Sequence, residues 1–401
     1  MSTLLARRLS DVKPSPSMLA KARVDGLRAA GRSIIDFTIG EPDFPTPAHI
    51  VRGGVDALMA GQTRYTSSAG TPALRRAIAA KLARENGLDV SSDHIVVGSG
   101  AKQVIFEALA ATLNPGDEVV VAAPYWVSYP DMVVINGGTP VIARGEAAQG
   151  FKLTPAVLEA AITPRTRWLL LNTPNNPTGA VYTPAEMLAL CEVLRRHPQV
   201  WIMSDEIYEH FVFDGAAHIS PLQVAPDLST RTLVVNGMSK SYAMTGWRIG
   251  YGAGPLPLVK AISMLISQST SCPSAVGQAA AIVALEGPQD CVRQATAAFE
   301  ERGALMTALL RAIDGIECVA PAGAFYVFPC VEGLIGRSTA TGQVLRTDVD
   351  VAAYLLDQAS VATIDGTSYG LSPHLRLSFA TSIDLIEQGC AAIRDAVSAL
   401  S

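Results

Sequence analysis

Residues 236–252 read N-G-M-S-K-S-Y-A-M-T-G-W-R-I-G-Y-G, and this stretch decides how the rest of the chain is read. It follows Thr232-Leu233-Val234-Val235, a short apolar run with the character of a buried strand. Lys240 comes just past that run, between Ser239 and Ser241. Arg248 follows beside Trp247, ahead of a second apolar run at 249–253. A lysine in a serine-rich turn is, taken alone, a solvated side chain. The surrounding chain gives this one partners.

Outward from that stretch, apolar runs of the same kind recur at 95–97, 118–122, 140–143, 168–171 and 200–203, with helical patterns between them. They are continuous rather than alternating, which suits strands buried on both faces of a mainly parallel sheet with helices on each side. After the Ala-rich helical segment 275–285 and the break at Gly287-Pro288, the rhythm changes. A long helical region over about 289–313 leads into β-like runs at 325–328, 361–364 and 374–379. Towards the N-terminus, a helix is expected over 18–30 and a strand over 34–39, and Thr71-Pro72 is a helix start. The expected fold is α/β: a large unit (47–288) with a mainly parallel sheet covered on both faces, and a smaller α+β unit (289–401) completed by residues 1–46.

The 401 residues carry a net charge of −5, so no basic surface argues for nucleic acid or an anionic membrane. No apolar stretch approaches the roughly 20 residues of a membrane-spanning helix, and the N-terminal residues lack the pattern of a signal peptide. Scattered cysteines without a C-x-x-C spacing read as free thiols, which points to the cytoplasm. The histidines form no H-E-x-x-H or paired cluster, so no metal site is expected.

Ligands of open α/β sheets bind beyond the carboxyl ends of the strands, and the polar residues collect there. After 95–97 comes Gly98-Ser99-Gly100-Ala101-Lys102-Gln103, entering a helical pattern over 104–113. Small residues at a helix start let backbone N–H groups face an anion, and the helix dipole adds to the attraction. The spacing matches neither the dinucleotide fingerprint nor the P-loop. After 168–171 comes Asn172-Thr173-Pro174-Asn175-Asn176-Pro177-Thr178-Gly179, where Asn176 offers an acceptor and two donors from a rigid loop. After 200–203 comes Ser204-Asp205-Glu206-Ile207-Tyr208. A carboxylate leaving a buried strand needs a cationic partner or titrates neutral; the alternative is that Asp205 is a helix N-cap. A lysine, a carboxylate, an amide, a phenol, an arginine and an anion cradle make up the inventory that pyridoxal phosphate calls for. Nicotinamide and flavin chemistry need no such lysine, and phosphoryl transfer would want metal-binding carboxylates.

These residues resemble the class I, fold-type I pyridoxal-phosphate aminotransferases, and most of all the bacterial aspartate and aspartate/prephenate subgroup. The motifs run from Lys13-Pro14-Ser15 through G-E-P-D-F at Gly40, R-Y-T at Arg64, N-P-G-D-E-V at Asn114, P-Y-W-V-S-Y-P at Pro124, N-N-P-T-G at Asn175 and S-D-E-I-Y-E-H at Ser204 to R-L-S-F at Arg376. The resemblance implies that Lys240 is the Schiff-base lysine and proton shuttle, and that Asp205 pairs with the cofactor's pyridine nitrogen. It implies that Tyr208 and Asn176 meet the phenolic oxygen and that Trp126 stacks on the ring. Gly100, Ala101, Lys102 and Arg248 would hold the phosphate, with Tyr65 reaching in from a second subunit of a homodimer. Arg376 would bind the substrate α-carboxylate, helped by Asn176, Trp126 and the backbone of Gly40. Lys13 would favour dicarboxylic substrates.

The chain departs from the pattern in two places. Asp365 in Ile364-Asp365-Gly366-Thr367 stands where relatives carry a proline, and Gly237 stands where many carry a phosphate-binding serine. The implied activity is ping-pong transamination between an L-amino acid, aspartate or glutamate first, and a 2-oxo acid. Prephenate, aromatic or neutral substrates, or a β-lyase reaction on the same fold, are the alternatives. A non-catalytic DNA-binding regulator would need a domain ahead of Lys13.

Overall fold

A computed structural model describes residues 4–14 and 16–401, the side chains of Arg7 and Ser17 excepted. Residues 1–3 and Ser15, the last residue of the Lys13 motif, lie outside the described residues. In chain order the strands are β1 (Ile35–Asp36), β2 (Ile95–Gly98), β3 (Glu118–Ala123), β4 (Thr139–Arg144), β5 (Thr166–Asn172), β6 (Trp201–Asp205), β7 (Thr232–Gly237), β8 (Gly250–Ala253), β9 (Tyr326–Val327), β10 (Val361–Ala362), β11 (Ile364–Asp365) and β12 (Leu375–Ser378). The first four helices are α1 (Pro16–Ala29), α2 (Ala48–Met59), α3 (Pro72–Asn86) and α4 (Ala101–Thr112).

Strands β2 to β8 form a seven-stranded sheet in the order β2-β8-β7-β6-β5-β3-β4. Within it β4, β3, β5, β6 and β7 run parallel, and β8 is antiparallel to both its neighbours. The continuous apolar runs have the predicted cause. Ile95 and Val97 pack into a core with Leu74 and Ile78 of α3, while Val96 between them packs with Val104 and Leu109 of α4 on the opposite face. Trp168 and Leu170 divide from Leu169 and Leu171 in the same way. Edge strand β4 has the mixed exposure of a strand with one open side, and it tolerates Pro140 for that reason. Thr71 caps α3 by accepting from the Leu74 N–H at 3.3 Å, with Pro72 in the first turn.

The C-terminal part pairs β11, β12 and β9 into an antiparallel sheet, with Ile364 opposite Arg376. Helices Asp290–Arg311 and Ile383–Ser398 supply Phe299, Leu310 and Ile386 to its core. The strand expected over 34–39 is only β1, paired in parallel with β10. The physical reason is local: Asp36 Oδ1 accepts from the N–H (2.9 Å) and hydroxyl (2.6 Å) of Thr38, a turn that takes the backbone out of the ladder. The run at 361–364 likewise splits, β10 pairing with β1 and β11 with β12.

What matters for function is the register. Asn172 lies opposite Asp205, and Asp205 opposite Val235, so β5, β6 and β7 end at one level. Gly98 and Gly237 both pair with Gly250, which brings the start of α4 to that level too.

Candidate active site

At this sheet edge lies a cleft of about 520 Å³, lined by Gly40, Ala101, Lys102, Trp126, Asn176, Asp205, Tyr208, Lys240, Arg248 and Arg376. Gly100 adjoins it as the residue before α4. Two predicted residues stand apart. Tyr65 is 88% exposed and does not line the cleft. Lys13 is exposed, with its backbone N–H 3.4 Å from Asp131 Oδ1, while Lys21 and Arg28 of the following α1 do line the cleft.

Lys240 Nζ donates to the backbone carbonyl of Gly40 and faces the rings of Tyr208 (5.7 Å) and Phe325 (5.6 Å). Burial draws its ammonium pKa down to about 8; Glu41 and Asp205 oppose that, and Arg376 and Arg248 add to it. An amine that loses its proton near neutrality can act as nucleophile and base. Asp205 is 4% exposed, and burial raises its pKa to about 6. Its Oδ2 accepts from the Tyr129 hydroxyl at 2.6 Å and its Oδ1 from the Ile207 N–H at 3.3 Å. No helix follows it, so the N-cap alternative fails. Among the described residues no cation lies within ion-pair distance of Asp205. The described residues thus supply no ion pair for it, only the more distant charge of Lys240.

Arg376 presents the reverse case. It is 2% exposed, donates to the Thr38 carbonyl (2.6 Å) and to Asn176 Oδ1 (3.3 Å), and lies 4.6 Å from the centre of the Tyr326 ring. Its Nε has no hydrogen-bond partner, and no described carboxylate pairs with it. Asn176 is held through its N–H to Asn172 Oδ1 (2.8 Å), and Asn172 Nδ2 donates to the Asp205 carbonyl (3.0 Å). The Tyr208 hydroxyl lies 3.0 Å from that of Tyr326, and burial keeps the Tyr208 phenol well above its ordinary pKa.

The start of α4 forms the anion cradle. Gly100 has φ +88°, and a Cβ there would run into the Arg248 guanidinium. Arg248 is anchored on the carbonyls of Ser99 (3.1 Å) and Thr245 (2.9 Å). Lys102 Nζ reaches Ser128 Oγ (3.2 Å) over the Trp126 ring (4.6 Å), and burial, then the Arg248 charge, lower its pKa. Both departures from the family pattern have a geometry. A Cβ on Gly237 would come within 2.9 Å of Gly250 Cα and of the Ile249 carbonyl, so no serine fits. Asp365 caps a short turn, its Oδ1 accepting from the N–H and hydroxyl of Ser368 at 2.8 Å each, and it does not line the cleft.

The residues fit pyridoxal phosphate. A buried acid without a cation suits a pyridine nitrogen, a buried arginine without an acid suits a carboxylate, and the start of α4 with the Arg248 guanidinium against Gly100 suits a phosphate. Tyr129, Asn172 and Tyr326 were missed in the sequence, where tyrosines and asparagines are common and only contact distinguishes these. Behind the cleft, Glu206, Glu209 and His218 bring ligand atoms within 4.8 Å of one another. Both oxygens of Glu209 are already engaged by Lys81, Asn86 and Asn236, so this grouping is a charge network.

A cleft at the strand ends that collects a lysine of lowered pKa, a buried acid and a buried arginine, the last two without ion pairs among the described residues, fits the class of pyridoxal-phosphate enzymes. The family described as aminotransferase class I and II matches residues 32–393. The chain is 50% identical to an aspartate/prephenate aminotransferase of Cereibacter sphaeroides, over 99% of each chain. It is 49% identical to an aspartate aminotransferase of Rhizobium meliloti, over 94% of this chain and 92% of that one. Among solved structures, the Rhizobium meliloti aspartate aminotransferase superposes with a TM-score of 0.97 at 48% identity, covering both chains fully. The Thermus thermophilus aspartate aminotransferase with maleate does so with a TM-score of 0.92 at 40% identity, over 99% of this chain and 100% of that one. The chain belongs to the class I and II aminotransferases, transaminating enzymes that use pyridoxal phosphate.

Proposed function

We propose that the chain moves an amino group between a dicarboxylic L-amino acid, aspartate or glutamate, and a 2-oxo acid, with the cleft residues in the roles that follow. The observation that carries this is the pair of buried charges without ion pairs among the described residues, Asp205 and Arg376, in the cleft that Lys240 also lines. A buried charge without a counter-ion is costly, and cofactor and substrate would relieve one each. Pyridoxal phosphate supplies the aldehyde and the electron-accepting ring.

Arg376 grips the α-carboxylate through paired N–H donors, beside Asn176 and the backbone of Gly40. Lys240 Nζ takes the α-proton and returns it on the other side of the reaction, which a pKa of about 8 permits. Asp205 would keep the cofactor's ring nitrogen protonated as a preorganised charge, and Tyr208, Asn176 and Trp126 would hold the ring. Gly100, Ala101, Lys102 and Arg248 hold the phosphate. Lys21 and Arg28 line the cleft, paired with Asp25 (3.2 Å) and Asp36 (3.8 Å), and Lys13 precedes them on the same segment; a second substrate carboxylate would compete with those acids for them. The names of the relatives and the bound maleate, itself a dicarboxylate, support that choice.

The same reading includes a cytoplasmic homodimer. Val51, Val55, Leu58 and Met59 form an exposed apolar stripe on α2, and the exposed Tyr65 follows it, free to enter a partner's cleft. It also includes division of the chain at 46/47 and 288/289, which the pairing of β1 with β10 supports.

The test is the absorbance spectrum of the purified holoenzyme during addition of single amino acids. The visible cofactor band should bleach with aspartate or glutamate and recover with a 2-oxo acid, and Lys240→Ala should abolish turnover. Bleaching by phenylalanine alone would move the substrate class, and a Lys240→Ala protein that transaminates would refute the roles.

A further inference from the structure

Behind the cleft, the turn after β6 and the turn after β7 are joined by side chains that the roles above leave unused. Glu209 is buried and accepts from Lys81 Nζ, from Asn86 Nδ2 (2.7 Å) and from Asn236 Nδ2 (2.7 Å). Burial alone would raise its pKa, but the Lys81 charge, helped by the Asn86 hydrogen bond, holds it well below the usual carboxylate range. Asn236 Oδ1 in turn accepts from the Gly237 N–H at 2.7 Å. One residue along, His210 Nδ1 lies 2.7 Å from Ser241 Oγ and His210 Nε2 lies 3.1 Å from Glu85 Oε2. The carboxylate can only accept, so Nε2 carries a proton; in the neutral ring Nδ1 then accepts from the serine hydroxyl.

Each turn has a cleft side and a far side. Asp205, Ile207, Tyr208, Ser239 and Lys240 line the cleft, whereas Glu209, His210 and Ser241 do not. The Lys240 turn also holds Ala243 at φ +50° and Arg248 at φ +59°, left-handed conformations that side-chain-bearing residues seldom adopt. Such a path persists only where neighbours enforce it.

We propose that Glu209 and His210 are positioning residues for transamination, acting through Asn236 and Ser241 to hold the Lys240 turn in register with the Asp205–Tyr208 turn. The proposal rests on the reading of Lys240 and Asp205 given above. Its force comes from how steeply reaction rates depend on placement: a displacement of about 1 Å can cost on the order of a hundredfold.

His210 is suited to the test because it is half-buried and His210→Phe keeps the ring while removing both hydrogen bonds. In the holoenzyme this variant should lower kcat about tenfold and leave KM within about threefold. Without substrate, the midpoint of the visible cofactor band's pH titration should move by about 0.5, while the unfolding temperature falls only a few degrees. His210→Asn, whose amide oxygen can still accept near the place of Nδ1, should recover most of both. Ser241→Ala removes the same bond from its other end and should match His210→Phe, with the double variant no worse than either. A His210→Phe enzyme with the parent's kcat and band titration overturns the proposal, and so does a change in unfolding temperature alone. If His210→Phe does not fold, Ser241→Ala decides by the same two readouts. Failure of the underlying roles would show separately, as Lys240→Ala protein that still transaminates.

Discussion

Asp205 illustrates how one residue couples stability to function. Its pKa is about 6 in the folded protein without cofactor, raised by burial, against about 4 for an ordinary aspartate. A raised carboxyl stabilises the fold below the unfolded value, and that contribution is lost as pH rises through 6. Above that the buried carboxylate is a liability on the order of 3 kcal/mol, because a tenfold change in acidity between folded and unfolded chain is worth about 1.4 kcal/mol. Asp205→Asn should therefore raise the unfolding midpoint of cofactor-free protein at pH 8, with the gain shrinking towards pH 4. In the loaded enzyme the same change should weaken cofactor retention. Urea titrations at several pH values, with and without cofactor, measure both. A pH-independent effect would contradict the assignment. Arg376 is the mirror image, a cation that the protein leaves without an acid. Residue types at these positions were legible in the sequence, but their lack of partners was not, since a motif says nothing of what is absent around it.

At the scale of elements, the junction from β2 into α4 does most to define the cradle. Gly100 is constrained twice, by a φ of +88° and by the guanidinium of Arg248 where a Cβ would lie. Gly100→Ala should weaken cofactor affinity at least about tenfold through displacement of Arg248, and destabilise the fold by about 1–2 kcal/mol. Equilibrium dialysis with pyridoxal phosphate and thermal unfolding separate the two effects. Long apolar runs were read correctly as strands because both faces of the central sheet are covered, which removes the alternation that would otherwise mark them. The short strands β1, β10 and β11 were harder. Their boundaries depend on the Asp36–Thr38 turn and on which sheet each two-residue piece meets, information that lies outside the local pattern.

The molecule as a whole displays a surface that a solitary chain has little reason to keep. Val51, Val55, Leu58 and Met59 are 39%, 50%, 51% and 84% exposed along one side of α2. A contiguous apolar stripe of this kind suits the homodimer proposed above. Sedimentation should find a dimer, and Val55→Asp should drive it towards monomer with loss of activity. If Tyr65 enters the partner's cleft, mixing inactive Lys240→Ala chains with impaired Tyr65→Ala chains should restore activity, since one site of each hybrid is intact. A mixture no more active than the Tyr65→Ala chains alone would place Tyr65 elsewhere.

The sequence by itself determined the layered α/β fold, the order of its main strands, and the identity of Lys240, Asp205, Asn176 and Arg376 as the residues to examine. The fold, Lys240, Asp205 and Asn176 rest on buried apolar runs and residues spaced at strand ends, and Arg376 on the family resemblance of its R-L-S-F motif, all of which survive in one dimension. Only the tertiary structure decided that Asp205 and Arg376 lack counter-ions and that Tyr129, Asn172 and Tyr326 belong to the site. It also decided that Asp365 turns away from the cleft into a cap, and that Glu209 and His210 link the two turns that face each other. Those properties depend on distance between segments far apart in the chain, and on desolvation, neither of which the order of residues records. Lys240, solvated by default in its serine-rich turn, has its pKa drawn down to about 8 because the fold strips water from it, with Arg376 adding to the shift and Glu41 and Asp205 opposing it.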